Sequence, residues 1–224
     1  MDKRTLATFL DLANHHPETT EKEVKDLCAA VKKYGFHSAF VNPYWVKLAR
    51  EIIGSAGVVG TVVAFPLGQE TKDVKILAAI KAVDEGASEL DVSMNIGLFK
   101  EGKHEQVLEE MQAVVNAVKE LKKSVLVKFI IETGLLTNDE IKKASELVLK
   151  SGADFVKTCS GWGPRGASLE DIKIIKSVVN GKIKIKAAGG IDTYQEAIDF
   201  INAGVNRIGT SKAVEILEGY EGNR

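Results

Sequence analysis

Two cysteines in 224 residues, Cys28 and Cys159, are too few for a disulfide framework or a zinc cage. With only four prolines, the chain shows no Pro/Gly/Ser-rich linker, no low-complexity stretch and no block of like charge that would divide it. Charge of one sign is also missing. Thirty Lys and Arg against 31 Asp and Glu leave a formal net charge of −1, so no general attraction to nucleic acid or anionic lipid is expected. No apolar run reaches membrane length, and the opening MDKRTLATFLDLANHH holds no stretch long enough for a signal peptide. These absences exclude disordered, disulfide-stapled and membrane classes. They point to a cytoplasmic globular protein with residues 1–224 forming one domain.

What the sequence does have is a rhythm. Short runs rich in β-branched residues alternate with longer stretches of helical period: HSAFV (37–41), VVGTVVAF (58–65), SELDVSM (88–94), SVLVKFII (124–131), DFVKT (154–158), KIKIKAA (182–188) and NRIGT (206–210). Near-continuous apolar character is expected of parallel strands covered on both faces. Capping boxes Thr20–Glu23, Thr137–Glu140 and Thr193–Glu196, with the related Ser168–Asp171, mark helix starts between the runs. Small-residue steps at Gly35, Gly86, Gly152 and Gly204 lead back to the next strand. With a short first strand near Phe9–Leu12, eight units predict a single-domain α/β protein, a closed (β/α)8 TIM barrel. An open doubly wound sheet is the alternative, but its G-x-G-x-x-G turn is missing.

Lysine is the unexpected residue in these runs. Lys128, Lys157 and Lys186 sit inside or at the ends of apolar segments, where an unpaired ammonium is costly. A barrel accommodates such side chains in its interior near the C-terminal mouth, where active sites lie. Two close ammonium groups raise each other's free energy, so one amine should lose its proton more easily and become a nucleophile toward a carbonyl carbon. Snorkelling of both lysines to solvent is the alternative that spacing leaves open. Asp91 in Glu89-Leu90-Asp91-Val92 either relays protons or forms a structural ion pair. Gly189-Gly190 after the seventh run and Gly209-Thr210-Ser211 at the eighth stand where such barrels bind phosphate, although either alone reads equally as a turn.

An ordered set of segments then becomes specific: Phe40-Val41-Asn42-Pro43, Phe65-Pro66-Leu67-Gly68, Glu89-Leu90-Asp91-Val92, Asn95-Ile96-Gly97, Ile131-Glu132-Thr133-Gly134, Phe155-Val156-Lys157-Thr158, Gly163-Pro164-Arg165-Gly166, Lys186-Ala187-Ala188-Gly189-Gly190-Ile191 and Arg207-Ile208-Gly209-Thr210-Ser211. From Asp11 to Val214 the chain resembles the deoxyribose-phosphate aldolases. The resemblance implies a class I aldolase that uses no metal or other cofactor. Such an enzyme interconverts 2-deoxy-D-ribose 5-phosphate with acetaldehyde and D-glyceraldehyde 3-phosphate in deoxynucleoside catabolism. Carried over by position, Lys157 forms the Schiff base, Lys186 is the neighbouring cation and Asp91 helps remove the methyl proton. Asp11, Thr158, Gly161, Gly189, Gly190, Gly209 and Ser211 match substrate- or phosphate-binding positions. A homodimer or homotetramer with small phosphosugars and aldehydes as partners is also implied.

The first strand departs from that pattern. Where the family reads close to I-D-H-T-L-L, this chain has Leu10-Asp11-Leu12-Ala13-Asn14-His15, keeping the acid and losing a pocket threonine to Ala13 or Asn14. Phe40 stands where some relatives carry cysteine, and Cys159, where Ser or Thr is usual, reads as a small buried thiol. Lys184 shares a strand face with Lys186, so a twist or bulge is expected to carry it to the barrel floor. Lys128 either tunes the site or pairs with Asp91 or Glu132. His15-His16 read as a loop, and Trp162 and Arg165 either as a loop over the mouth or as an ordinary surface loop. A Schiff-base aldolase for another aldehyde pair, a phosphosugar isomerase or epimerase, and a catalytically silent phosphosugar-binding barrel are the competing functions.

Overall fold

The computed structural model describes residues 1–55 and 57–220, so 221–224 at the end of the expected domain lie outside the described residues. Strands β1 (Leu10–Asn14), β2 (Ser38–Val41), β3 (Val58–Val63), β4 (Glu89–Ser93), β5 (Leu126–Ile130), β6 (Phe155–Lys157), β7 (Lys184–Ala188) and β8 (Arg207–Thr210) pair in that order. All pairs are parallel, and β8 closes onto β1. The expected (β/α)8 barrel is the observed one. Helix α1 (Lys3–Ala7) precedes it. Outside run α2 (Glu21–Tyr34), α3 (Val46–Ile53), α4 (Lys72–Asp84), the short α5 (Ile96–Lys100), α6 (His104–Leu121), α7 (Asn138–Ser151), α8 (Leu169–Val179), α9 (Tyr194–Ala203) and α10 (Ala213–Glu218).

All four predicted start signals close as capping boxes, at Thr20, Thr137, Ser168 and Thr193. A side-chain cap of this kind is worth about 1 kcal/mol each. Gly35, Gly152 and Gly204 end α2, α7 and α9 in the left-handed conformation. Among the described residues no helix is long and apolar enough to cross a membrane.

The strands are less uniform than their apolar appearance suggests. Leu10, Leu12, Leu90, Val92, Val127, Phe129, Val156, Ile185, Ala187 and Ile208 belong to one apolar cluster shared with the helices. The residues between them point into the barrel, and many are ionisable: Asp11, Glu89, Asp91, Lys128, Lys157, Lys186 and Arg207, all buried. Period-two alternation is therefore present, with charge on the inner face. Phe40 fills the remaining space beneath these groups. Its register partner Gly60 makes room for the ring, since a Cβ built at Gly60 would lie 2.2 Å from Phe40 Cζ.

Lys184 is exposed at the start of β7, with its ammonium 5.7 Å from the Phe155 ring centroid. The pairing of β6 with β7 is unbroken over Phe155↔Lys184, Val156↔Ile185 and Lys157↔Lys186. Lys184 thus reaches the barrel floor because it opens the strand at its N-terminal end, and no bulge is needed.

Candidate active site

The site is assembled by strand position. Asp91, two residues into β4, receives three ammonium groups from the next strands round the barrel. Lys128 Nζ donates to Oδ1 at 3.0 Å, and Lys157 Nζ and Lys186 Nζ donate to Oδ2 at 2.8 and 2.9 Å. Lys128 also meets Glu89 at 2.6 Å, and Glu132 takes no part, its carboxylate accepting instead from the backbone N–H of Ser160. One layer away, Asp11 contacts Lys186 at 2.7 Å and accepts from Ser38 Oγ at 2.6 Å and Arg207 Nη1 at 3.2 Å. The Lys186 ammonium stands 3.7 Å from the Phe40 ring centroid, and that of Lys128 4.7 Å, close enough for cation–π attraction in a desolvated setting.

Electrostatics sets the amine apart. Burial disfavours the charged form of Lys157, and Lys186 and Lys128 add repulsion, so its pKa is lowered despite the opposing pull of Asp91. Burial thus outranks the neighbouring cation, which the sequence alone put first. Asp91 is the mirror case. Burial works to raise it, but Lys128, Lys157 and Lys186 together hold it well below the usual carboxylate range. The interior network holds three carboxylates, Asp11, Glu89 and Asp91, against four basic side chains, Lys128, Lys157, Lys186 and Arg207. With the Lys157 amine neutral, carboxylates and cations match, which is the arrangement a low-dielectric interior favours. A neutral buried amine that opens on a cavity can attack a carbonyl carbon.

That cavity, about 330 Å³, opens at the C-terminal mouth. Lys157, Lys186, Gly161, Gly189, Gly190, Gly209 and Ser211 line it, seven of the ten residues singled out in the sequence. Gly189 and Gly190 have φ of +88° and +69°, successive left-handed residues that only glycine adopts without strain and that curve the backbone around the space. Gly209 also leaves room for a neighbour, because a Cβ there would come within 2.8 Å of Lys186 Cε. Three residues stand back from the surface. Asp91, paired with both lysines, and Asp11, paired with Lys186, are both fully buried. The Thr158 hydroxyl ties β6 to β7, donating to Ala188 O at 3.2 Å and accepting from Ala188 N at 3.1 Å.

Two lining residues, His15 and His16, were not legible as such. Both face the cavity, as does Trp162 of the loop expected near the mouth, which meets His16 edge-on at 5.8 Å between ring centroids. The available signal was position, because His15 directly follows β1 at the mouth. Arg165 points elsewhere and clamps Asp171 at 2.7 and 3.0 Å and Thr133 O at 3.0 Å. Cys159 is buried beside Thr133 Oγ1 at 3.1 Å, as a small thiol should be. One group of metal-capable atoms exists among the described residues, on Asp11, His37 and Glu89. Lys186, Lys128 and Arg207 already engage its carboxylates, so these residues read as an ion-pair network.

A parallel barrel whose mouth holds a buried amine, flanked by a cation and a carboxylate and rimmed by glycine loops, defines an enzyme of carbonyl carbon chemistry. Comparison with known proteins agrees. Residues 1–211 match the model of the DeoC/LacD family aldolases. The deoxyribose-phosphate aldolase of Thermococcus kodakarensis is 43% identical over 222 residues, 98% of each chain. A solved structure described as QR15, an aldolase, superposes with TM-score 0.90 at 40% identity, covering 95% of this chain and 94% of its own. The deoxyribose phosphate aldolase of Aeropyrum pernix, described as a unique tetrameric structure, gives TM-score 0.88 at 30% identity over 97% and 91%. The chain belongs to the DeoC/LacD family of aldolases.

Proposed function

We propose that this enzyme reversibly cleaves 2-deoxy-D-ribose 5-phosphate to acetaldehyde and D-glyceraldehyde 3-phosphate through a Schiff base on Lys157. The observation that carries the reading is the shared contact of Lys157 and Lys186 with one oxygen of Asp91 at the floor of the cavity. In the synthetic direction the neutral Lys157 amine adds to the acetaldehyde carbonyl, and the carbinolamine takes up a proton and loses water to leave a protonated imine. A base then removes a methyl proton, and the C–H electron pair neutralises the imine nitrogen to give an enamine. In this reading Asp91, linked to both lysines, helps move that proton through water. The enamine carbon attacks the aldehyde carbon of the acceptor, the new alkoxide takes a proton, and water releases the product from Lys157. The protonated imine is the electron sink of this sequence, so the chemistry runs without a metal.

Gly161, Gly189, Gly190, Gly209 and Ser211 hold the phosphate in this reading. Asp11 keeps Lys186 in place, and Thr158 supports the β7 end of the cavity. A homo-oligomer is supported by the tetrameric relative. A cytoplasmic location and a role in deoxynucleoside catabolism accord with the near-neutral composition and the proposed substrate. The test is borohydride reduction in the presence of acetaldehyde, followed by peptide mass mapping. Lys157 should carry the adduct, and Lys157→Arg should abolish it. A native protein with no adduct would overturn the proposal, and a panel of acceptor aldehydes in coupled assays separates this aldolase from one using another pair.

A further inference from the structure

Substrate recognition at this site has three parts, and two have owners. The carbonyl carbon goes to Lys157 and the phosphate to the glycine loops. The third part, the hydroxyl next to the reacting aldehyde, needs a neutral polar group in the cavity wall. Where β1 enters that wall it contributes Ala13, which has only a methyl group, and His15 follows directly. The His15 ring rests against Phe65, with centroids 5.2 Å apart, and edge-on to Phe40 at 6.3 Å. Phe65 is also a neighbour of the Lys157 ammonium, 5.9 Å from its ring centroid, so His15 and the amine share one wall.

The imidazole is chemically uncommitted. Nδ1 is shut off from solvent and meets no hydrogen-bond partner among the described residues. Asn42 lies near enough to favour the protonated ring weakly, but no bond of sound geometry forms. Leaving a buried polar atom unpaired costs about 1–3 kcal/mol, so a turn of the ring that offers this nitrogen to a hydroxyl in the cavity recovers that cost. Burial first, and then the charge of Lys157, take the His15 pKa down to about 3, so at neutral pH the ring has one N–H and one lone pair. A hydroxyl, both donor and acceptor, is the complementary group.

We infer that His15 recognises the hydroxyl on the carbon adjacent to the aldehyde of the phosphorylated acceptor, and so sets acceptor specificity in this enzyme. The inference rests on the aldolase reading above. A site that hydrogen-bonds a hydroxyl discriminates against an analogue lacking it, whereas a purely packing residue does not. The experiment compares D-glyceraldehyde 3-phosphate with 3-oxopropyl phosphate, the same acceptor without the hydroxyl, in condensation with acetaldehyde. His15→Phe keeps the aromatic packing against Phe40 and Phe65 and removes both nitrogens. It should lower kcat/KM for the hydroxylated acceptor by about tenfold, the worth of one neutral hydrogen bond. It should leave kcat/KM for the deoxygenated acceptor within about twofold, well under that effect. His15→Gln should recover part of the preference, and trapping of acetaldehyde on Lys157 should be unchanged in both variants. Equal losses on the two acceptors, or no loss on either, overturn the inference. Failure of trapping in the native enzyme is a separate result, which removes the aldolase reading itself.

Discussion

Replacing Lys186 by Met removes one charge and keeps most of the side-chain volume. Lys157 and Lys186 contact the same Asp91 oxygen at 2.8 and 2.9 Å, so their nitrogens are at most about 5.7 Å apart. Two unit charges at that separation and an effective dielectric constant of about 20 repel by about 3 kcal/mol. Without that repulsion the neutral fraction of Lys157 at fixed pH falls by up to about 100-fold. The fold should tolerate the change, because Asp11 retains Arg207 and Ser38, and Asp91 retains Lys128 and Lys157. The assay is the rate of borohydride-trapped acetaldehyde adduct on Lys157 as a function of pH, with circular dichroism as the check on folding. The variant should be slow at pH 7 and approach the native rate as pH rises toward that of a free lysine. A folded Lys186→Met protein that traps acetaldehyde at the native rate, with the native pH profile, would refute the electrostatic account of the nucleophile.

Other substitutions probe the surroundings. Gly209→Ala places a methyl 2.8 Å from Lys186 Cε, so it should slow trapping by displacing that ammonium while costing only about 1–3 kcal/mol of stability by urea titration. His15, with its pKa lowered from 6.5 to about 3, takes up its proton more readily in the unfolded chain. Native stability should therefore fall as pH drops from about 6.5 toward 3, and urea midpoints of His15→Phe at pH 7, 5 and 4 should lack that component of the slope. High acetaldehyde should leave the enzyme active. Phe40 has no nucleophile, and burial raises the pKa of both thiols, Cys28 to about 11. Rapid loss of activity with a new adduct on another residue would contradict this.

The barrel was legible because its signals are local. Each capping box and each glycine step is decided within four or five residues, and all four boxes close as the sequence predicts. The inward lysines were legible too, since an ammonium in an apolar run demands an explanation. What stayed hidden was relational. Glu89 looks like an ordinary strand residue until Lys128 and His37 arrive from elsewhere in the chain, at 2.6 and 2.8 Å. Lys128 had two plausible partners in sequence, and only strand register selects Asp91 over Glu132. His15 carries no motif. It gains meaning from Phe40 and Phe65, which are brought beside it by two other strands and their loops. The bonds of the Thr158 hydroxyl to Ala188 O and N were likewise invisible in sequence, because they join two strands.

The pairing of Phe40 with Gly60 also constrains how this barrel can change. The two residues face each other across β2 and β3, and the ring takes up the space that a side chain at 60 would need. Any enlargement at 60 is open only after 40 has shrunk, and a smaller residue at 40 alone leaves a void under Lys186. The two positions thus form one mutational unit. Libraries meant to reshape the space beneath Lys186 should vary them together, and among natural variants bulk at one should trade against bulk at the other.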